Sequence, residues 1–409
     1  MQLQIGACGL VALTLAFSQS PPSDQVKALF AAKNWPELQR ALAQSKGSSP
    51  LYRAAFAIAF NQDSKRSEIG LRAVIKAAPH SEDAYEAYER LSHLYLRTGQ
   101  YRRLMGVMDE RWAAFPEKKN ERRQEEAFLA AFRGLPDQTI SHFQPSTIPH
   151  EGSSISIPLS INGRSVTYFF DTGASSSVVS ESEAKRLGLR VNDISSSGHT
   201  MTADATFRMA VAKEVHIGAM TFRNVSFGVF PDTREPFSLL PPGRQGAIGI
   251  PLILGFRTLR WIKNGGLEIG QPAERFDLAN SNLYFDDDRL VITSTFQSRT
   301  VLATLDTGAE STDLLSGFAR QFAALLKAAG TKDTREIRGL GGATTYNSVT
   351  VPEVRFRIGN VDTYLRPAQV VTNETGAKCC AGNFGMDLLK QGRAFKIDFG
   401  AMRLDLESD

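Results

Sequence analysis

The spacing of hydrophobic and polar positions divides the chain into two textures. From Asp24 to about Arg133, apolar residues recur every three or four positions among Ala, Leu, Glu, Arg and Lys. That is the period of helices with one buried face. Pro and Gly punctuate the pattern at Gly47 to Pro50, Pro79 and Pro116. From about Gln138 onward Gly, Ser, Thr, Val and Ile rise, and short alternating runs such as Ile155 to Ile161 predict strands. Pro136, Pro145 and Pro149 mark the change. The expected organisation is an all-α region over 24–137, a linker over 138–152, and an all-β region in two parts, 153–289 and 290–409.

Within the helical region, Leu91, Tyr95, Gly99, Tyr101, Leu104, Met108 and Pro116 lie near the spacing of a tetratricopeptide repeat, which they resemble. Helix pairs of this kind bury their apolar faces only against neighbours. The expectation is a surface that selects a substrate or a protein partner and is dispensable for chemistry.

The all-β region contains one tetrapeptide twice, Asp171-Thr172-Gly173-Ala174 and Asp306-Thr307-Gly308-Ala309. Upstream, Ile161 to Phe170 aligns without gaps on Phe296 to Leu305. Downstream, Gly246-Ala247-Ile248-Gly249 recurs as Gly382-Asn383-Phe384-Gly385. Gly249 lies 78 residues after Asp171, and Gly385 lies 79 after Asp306. A second landmark at the same offset marks an internal duplication.

An apolar strand ending in Asp-Thr-Gly, followed by an apolar-Gly segment, resembles one lobe of an aspartic protease. Two copies resemble a bilobal acid-protease fold, and Ala after the Gly resembles the retroviral-type (retropepsin-like) branch. The resemblance implies an aspartic endopeptidase with Asp171 and Asp306 as its catalytic pair. Two carboxyls sharing one proton can take a proton from water and give one to the substrate. Like charges held close cannot both ionise. By the same resemblance Thr172 and Thr307 hydrogen-bond across the lobe junction, and Gly173 and Gly308 let backbone amides approach the carboxyls. Glu310 contacts substrate backbone. The glycine-rich stretch Arg338 to Tyr346, through Gly341 and Gly342, forms a hairpin over the substrate, with Ser197 to Ala205 as its first-lobe counterpart. With both lobes in one chain, a monomer holds the whole site. The alternative is an inactive peptide-binding or scaffold protein using the same cleft and repeats.

The two copies differ in places. Ser175 stands where the second copy has Glu310, and Ala247 where it has Asn383. Pepsin-like motifs carry a hydroxyl at the positions of Ala174 and Ala309, so here no such donor reaches either carboxyl. A donor to the charged form lowers a pKa, and its loss moves the expected working range toward mildly acidic or near-neutral pH.

Composition narrows the picture further. The net charge is +4, and the excess is local: Asp24 to Gln138 hold 19 Lys and Arg against 15 Asp and Glu, while the remainder is balanced at 28 each. No concentrated basic stripe of a nucleic-acid binder is present, and no apolar run reaches the length of a membrane span. The six His show no ligand spacing, so neither a metal nor a cofactor is expected. Cys379 and Cys380, being adjacent, read as two ordinary thiols. Ile5 to Phe17 are apolar over thirteen residues and precede a small-x-small site at Ala16 and Ser18. This predicts a signal peptide over 1–18 and export to a periplasmic or extracellular compartment.

Overall fold

The structure is a computed structural model and describes residues 22–44, 49–150, 155–199, 204–373 and 379–408. The expected signal peptide, 1–18, lies outside the described residues.

The helical region runs through α1 (Pro22–Ala31), α2 (Trp35–Gln44), α3 (Pro50–Ala59), α4 (Ser64–Ala77), α5 (Glu82–Arg97), α6 (Tyr101–Ala114) and α7 (Lys119–Leu129). Local chemistry sets the ends. Pro50 opens α3, the Asp63 carboxylate accepts the Arg66 N–H at 3.0 Å, and Ser81 Oγ accepts the Ala84 N–H at 3.1 Å. Gly99, at φ +69°, turns the chain between α5 and α6. The apolar period expected from the sequence is buried: Leu91, Leu104 and Val107 are at most 1% exposed.

Strands β1 (Thr139–His142), β2 (Ser146–Pro149), β3 (Ser156–Ile161), β4 (Arg164–Phe170), β5 (Ser177–Ser180), β6 (Arg190–His199), β7 (Asp204–Ile217), β8 (Met220–Phe230) and β9 (Gly246–Ile248) follow. All but β2 share one sheet, in the order β1-β8-β5-β9-β4-β3-β7-β6, and pairing of β7 with β8 closes six of them into a barrel. This is the first lobe. Next come β10 (Thr258–Ile262) and β11 (Gly266–Ile269), then β12 (Leu283–Asp286), β13 (Arg289–Phe296), β14 (Arg299–Leu305), β15 (Asp313–Leu314), β16 (Thr331–Gly339), β17 (Gly342–Val351), β18 (Val354–Ile358), β19 (Val361–Leu365), β20 (Ala368–Val371) and β21 (Gly382–Phe384). The second lobe orders them β16-β17-β20-β15-β21-β14-β13-β18-β19, with β12 beside β13.

The second lobe stays open for a visible reason. The hairpin that is continuous as β7–β8 in the first lobe is interrupted here at Pro352 and Pro367. Val351 still faces Ala368 and Val354 still faces Leu365, so the register survives the break. Proline gives no N–H to the ladder and belongs at such interruptions. The chain ends in β22 (Ala394–Asp398) and β23 (Arg403–Glu407), which join β2, β11 and β10 in a sheet drawing on both halves.

Several expectations need correction. The segment 138–152 is not a free linker, because β1 extends the first-lobe sheet beside β8 and β2 pairs with β11. Leu283 to Asp286 pair with β13, so the second lobe begins before residue 290. Cys379 and Cys380 are not separate thiols: they form a disulfide in the bend leading into β21, where Cys380 is buried.

The helices do not stand apart from the lobes. Trp35 meets Tyr284 edge-on at 5.0 Å, Phe60 packs on Phe276 at 5.1 Å, and the Arg97 guanidinium lies 4.3 Å from the Phe285 ring centre. Lys33 pairs with Asp286, and Arg90 with Asp287 at 3.0 Å, so part of the local basic excess faces the acidic turn between β12 and β13. At the other end, Phe128 and Phe132 pack on Phe207 of β7, and the Ala131 N–H donates to Ser196 Oγ of β6 at 2.8 Å. One hydrophobic core runs from Val26 to Leu406. Among the described residues no helix is long and apolar enough to cross a membrane.

Candidate active site

Strands β4 and β14 deliver the two Asp-Thr-Gly turns. Both are buried in the middle of their sheets, each lying parallel to an apolar-Gly strand, β4 to β9 and β14 to β21. The Asp171 N–H donates to the Ile248 carbonyl at 3.0 Å and the Asp306 N–H to the Phe384 carbonyl at 2.9 Å. The two apolar-Gly segments therefore hold the Asp loops from behind.

Across the junction the loops interlock through four hydrogen bonds. Thr172 Oγ1 donates to the Leu305 carbonyl at 2.7 Å and accepts the Thr307 N–H at 3.1 Å. Thr307 Oγ1 donates to the Phe170 carbonyl at 2.7 Å and accepts the Thr172 N–H at 3.1 Å. Both threonines are buried, so each bond satisfies a group that water does not reach.

The crossing brings the carboxyls together. The Gly173 N–H donates to Asp171 Oδ1 at 2.8 Å, and the Gly308 and Ala309 N–H groups donate to Asp306 Oδ1 at 2.9 and 3.0 Å. Burial, then the Asp306 charge and a hydrogen bond to Asp306, push the Asp171 carboxyl well above the usual carboxylate range. The Gly173 and Ala174 amides pull weakly the other way. A half-buried acid that holds its proton more tightly than usual, beside a second carboxyl, is equipped for proton transfer in both directions.

The remaining candidates take up separate places. Glu310 is exposed after the second loop, where its carbonyl accepts the Asp387 N–H at 3.1 Å and its charge acts on Lys390. Gly341 and Gly342 lie at the tip of the β16–β17 hairpin, where Gly339 pairs with Gly342 and Gly342 takes φ +98°. That tip reaches the other lobe: Arg234 donates to the Leu340 carbonyl at 2.9 Å, and Arg338 pairs with Glu235 at 3.0 Å. Of Ser197 to Ala205, residues 197–199 end β6 and 204–205 begin β7, with Gly198 facing Ala205. Residues 200–203 lie outside the described residues.

Sequence reasoning missed one side-chain donor. Asn383 Nδ2 donates to Asp306 Oδ2 at 2.7 Å, so on the second lobe an amide supplies a donor to the carboxyl although no hydroxyl stands at Ala309. The available signal was Asn383 itself, an amide in an otherwise apolar segment whose copy holds Ala247.

The family model described as aspartyl protease matches residues 157–256. No curated protein matches the chain. Among the solved structures that match is a retropepsin-like aspartic protease from Rickettsia conorii. It is 19% identical, covers 32% of this chain and 93% of its own, and has a TM-score of 0.24. Over residues 157–256, which hold the first Asp-Thr-Gly loop and its apolar-Gly strand, the chain is similar to the aspartyl protease family.

Proposed function

We propose that the chain is an aspartic endopeptidase in which Asp171 and Asp306 share one proton. One carboxylate takes a proton from a water as that water attacks the scissile carbonyl carbon. The other carboxyl gives its proton to the carbonyl oxygen, and the resulting gem-diol collapses with transfer of a proton to the leaving amine. The observation that carries this reading is the crossed arrangement of the loops, which sets each motif glycine against the carboxyl of the opposite lobe and so brings Asp171 and Asp306 side by side. The test is digestion of a peptide library by the purified protein and by its Asp171→Asn and Asp306→Asn variants. Either substitution is expected to lower kcat/KM by roughly 10²–10⁴-fold, the usual worth of general acid–base catalysis. Cleavage that survives both substitutions overturns the reading. Absence of cleavage by the parent protein favours the peptide-binding alternative.

Both motif loops come from one chain, which supports a site complete in the monomer. Specific activity that falls on dilution would contradict that. For the helices we propose that they act on substrate choice through the β6–β7 hairpin they brace. Comparing short peptides with folded protein substrates in a Phe128→Ala variant tests this. From the apolar run Ile5 to Phe17 we propose export, checked by fractionation and N-terminal sequencing of the mature protein.

A further inference from the structure

The two lobes differ at one cross-strand position next to the aspartates. In the first lobe the parallel pairing of β4 with β9 sets Phe169 opposite Ala247. The same register in the second lobe sets Thr304 opposite Asn383. An apolar pair has thus been replaced by a polar pair, two residues before the aspartate and two before the glycine. Asn383 is only 3% exposed, so its amide needs protein partners. It has two: Thr304 Oγ1 donates to Asn383 Oδ1, and Asn383 Nδ2 donates to Asp306 Oδ2. A hydroxyl donating to the amide oxygen fixes which end of the amide faces the carboxyl.

The dyad is therefore unequally supplied with donors. Asp306 receives Gly308 and Ala309 N–H on Oδ1 and Asn383 N–H on Oδ2. Asp171 has no side-chain donor in the matching place, where Phe169 and Ala247 stand. Donors to a carboxylate favour its ionised form, and a proton on Asp306 Oδ2 would have to compete with the Asn383 N–H.

We propose that Asn383, held by Thr304, is a positioning residue that keeps Asp306 ionised and leaves the shared proton on Asp171. This rests on the peptidase reading and assigns its two roles. Asp306 takes the proton from the attacking water, and Asp171 gives its proton to the substrate carbonyl oxygen as the new C–O bond forms. The raised affinity of Asp171 for its proton agrees with this division. Asp313 of β15 is near enough to Asp306 for the two charges to interact; Arg335 pairs it at 2.9 Å, and Asp387 stands next to it. Asp313 also faces Asn383 across the β15–β21 ladder, a backbone pairing that an Asn383 substitution leaves in place together with the Arg335 ion pair.

The test compares the pH dependence of kcat/KM for the parent protein, Asn383→Leu and Thr304→Val. Loss of one charge-assisted donor to the singly ionised dyad should move the acid limb upward by about one pH unit in Asn383→Leu. The shift should be smaller and in the same direction in Thr304→Val. The alkaline limb should stay put, because Asp306 is ionised on both sides of that step. A purely structural role would lower kcat/KM at every pH without moving either limb, and that result, or a shift of the alkaline limb alone, overturns the proposal. In parallel, NMR titration of ¹³Cγ-labelled Asp, assigned with Asp171→Asn and Asp306→Asn, follows the dyad whether or not peptides are cut. An upward first titration step in Asn383→Leu supports the proposal even if the peptidase reading fails. An unmoved step in a folded variant refutes it even if the protein is an active peptidase.

Discussion

Gly308 lies directly against the Asp171 carboxyl: a Cβ added to this glycine would stand 2.5 Å from Asp171 Cγ and 2.7 Å from its Oδ2. The relationship is reciprocal, since a Cβ on Gly173 would stand 2.6 Å from Asp306 Cγ. Each motif glycine therefore makes room for the carboxyl of the opposite lobe, not for its own. The glycine of each Asp-Thr-Gly turn is thus a contact between two loops that lie 135 residues apart in sequence.

Alanine at either glycine must displace that opposite carboxyl. Gly173→Ala should act on Asp306, and Gly308→Ala on Asp171. A displacement near 1 Å is worth on the order of 10²-fold in rate. The expected result is a loss in kcat of about that size with a native circular dichroism spectrum. Unchanged kcat in either variant would show that the loops can separate without consequence.

The threonine bonds predict a coupling. Thr172→Val removes the donor to the Leu305 carbonyl and the acceptor of the Thr307 N–H, leaving both buried groups unpaired. A cost of about 1–3 kcal/mol per unpaired group follows. Thr307→Val does the same to the Phe170 carbonyl and the Thr172 N–H. Urea unfolding of the single and double variants should give a double-variant loss that differs from the sum of the singles by more than about 0.5 kcal/mol.

Asp171 makes the site weaken the fold as pH rises. Its carboxyl holds a proton well above the ordinary value of 3.8, so the folded chain binds more protons than the unfolded chain between those two values. Stability from this group is highest below about pH 3.8, falls as pH rises through that window, and stays low above it. Asp171→Asn carries no such penalty. The variant should therefore match the parent protein at pH 3 and exceed it at pH 8, measured as urea midpoints. A variant less stable than the parent at pH 8 would reverse the sign.

Removing the helices should cost the lobes their fold, contrary to the dispensability expected from the sequence. Deletion of 22–137 would bare Phe207, Tyr284 and Phe285, each now at most 8% exposed, and would strip Ser196 of its backbone partner. Buried aromatic area of that size stabilises by several kcal/mol, on the order of 1.5–3 kcal/mol per ring. The full chain should unfold in one calorimetric transition, and the truncated chain should be insoluble or lack one. A soluble truncated protein with undiminished cleavage of short peptides would restore the original expectation.

Whatever repeats at short range is written in the order of the amino acids. The helical period from Asp24 to Arg133, the strand alternation around Ile155 to Ile161 and the doubled Asp-Thr-Gly-Ala are local properties, visible because burial imposes its period on neighbouring residues. The matched offsets to Gly249 and Gly385 also tied each loop to the strand that holds it. Which groups meet across the fold emerges only in the folded chain. The approach of Asn383 to Asp306 depends on the parallel register of β14 with β21. The docking of Trp35 on Tyr284 depends on how two layers far apart in sequence close over shared apolar area. The strands within 138–152 exist because β8 and β11 offer open edges, which no local pattern in the segment records. Such contacts arise where long-range burial selects among many locally acceptable conformations, so their partners are legible only once the chain has folded.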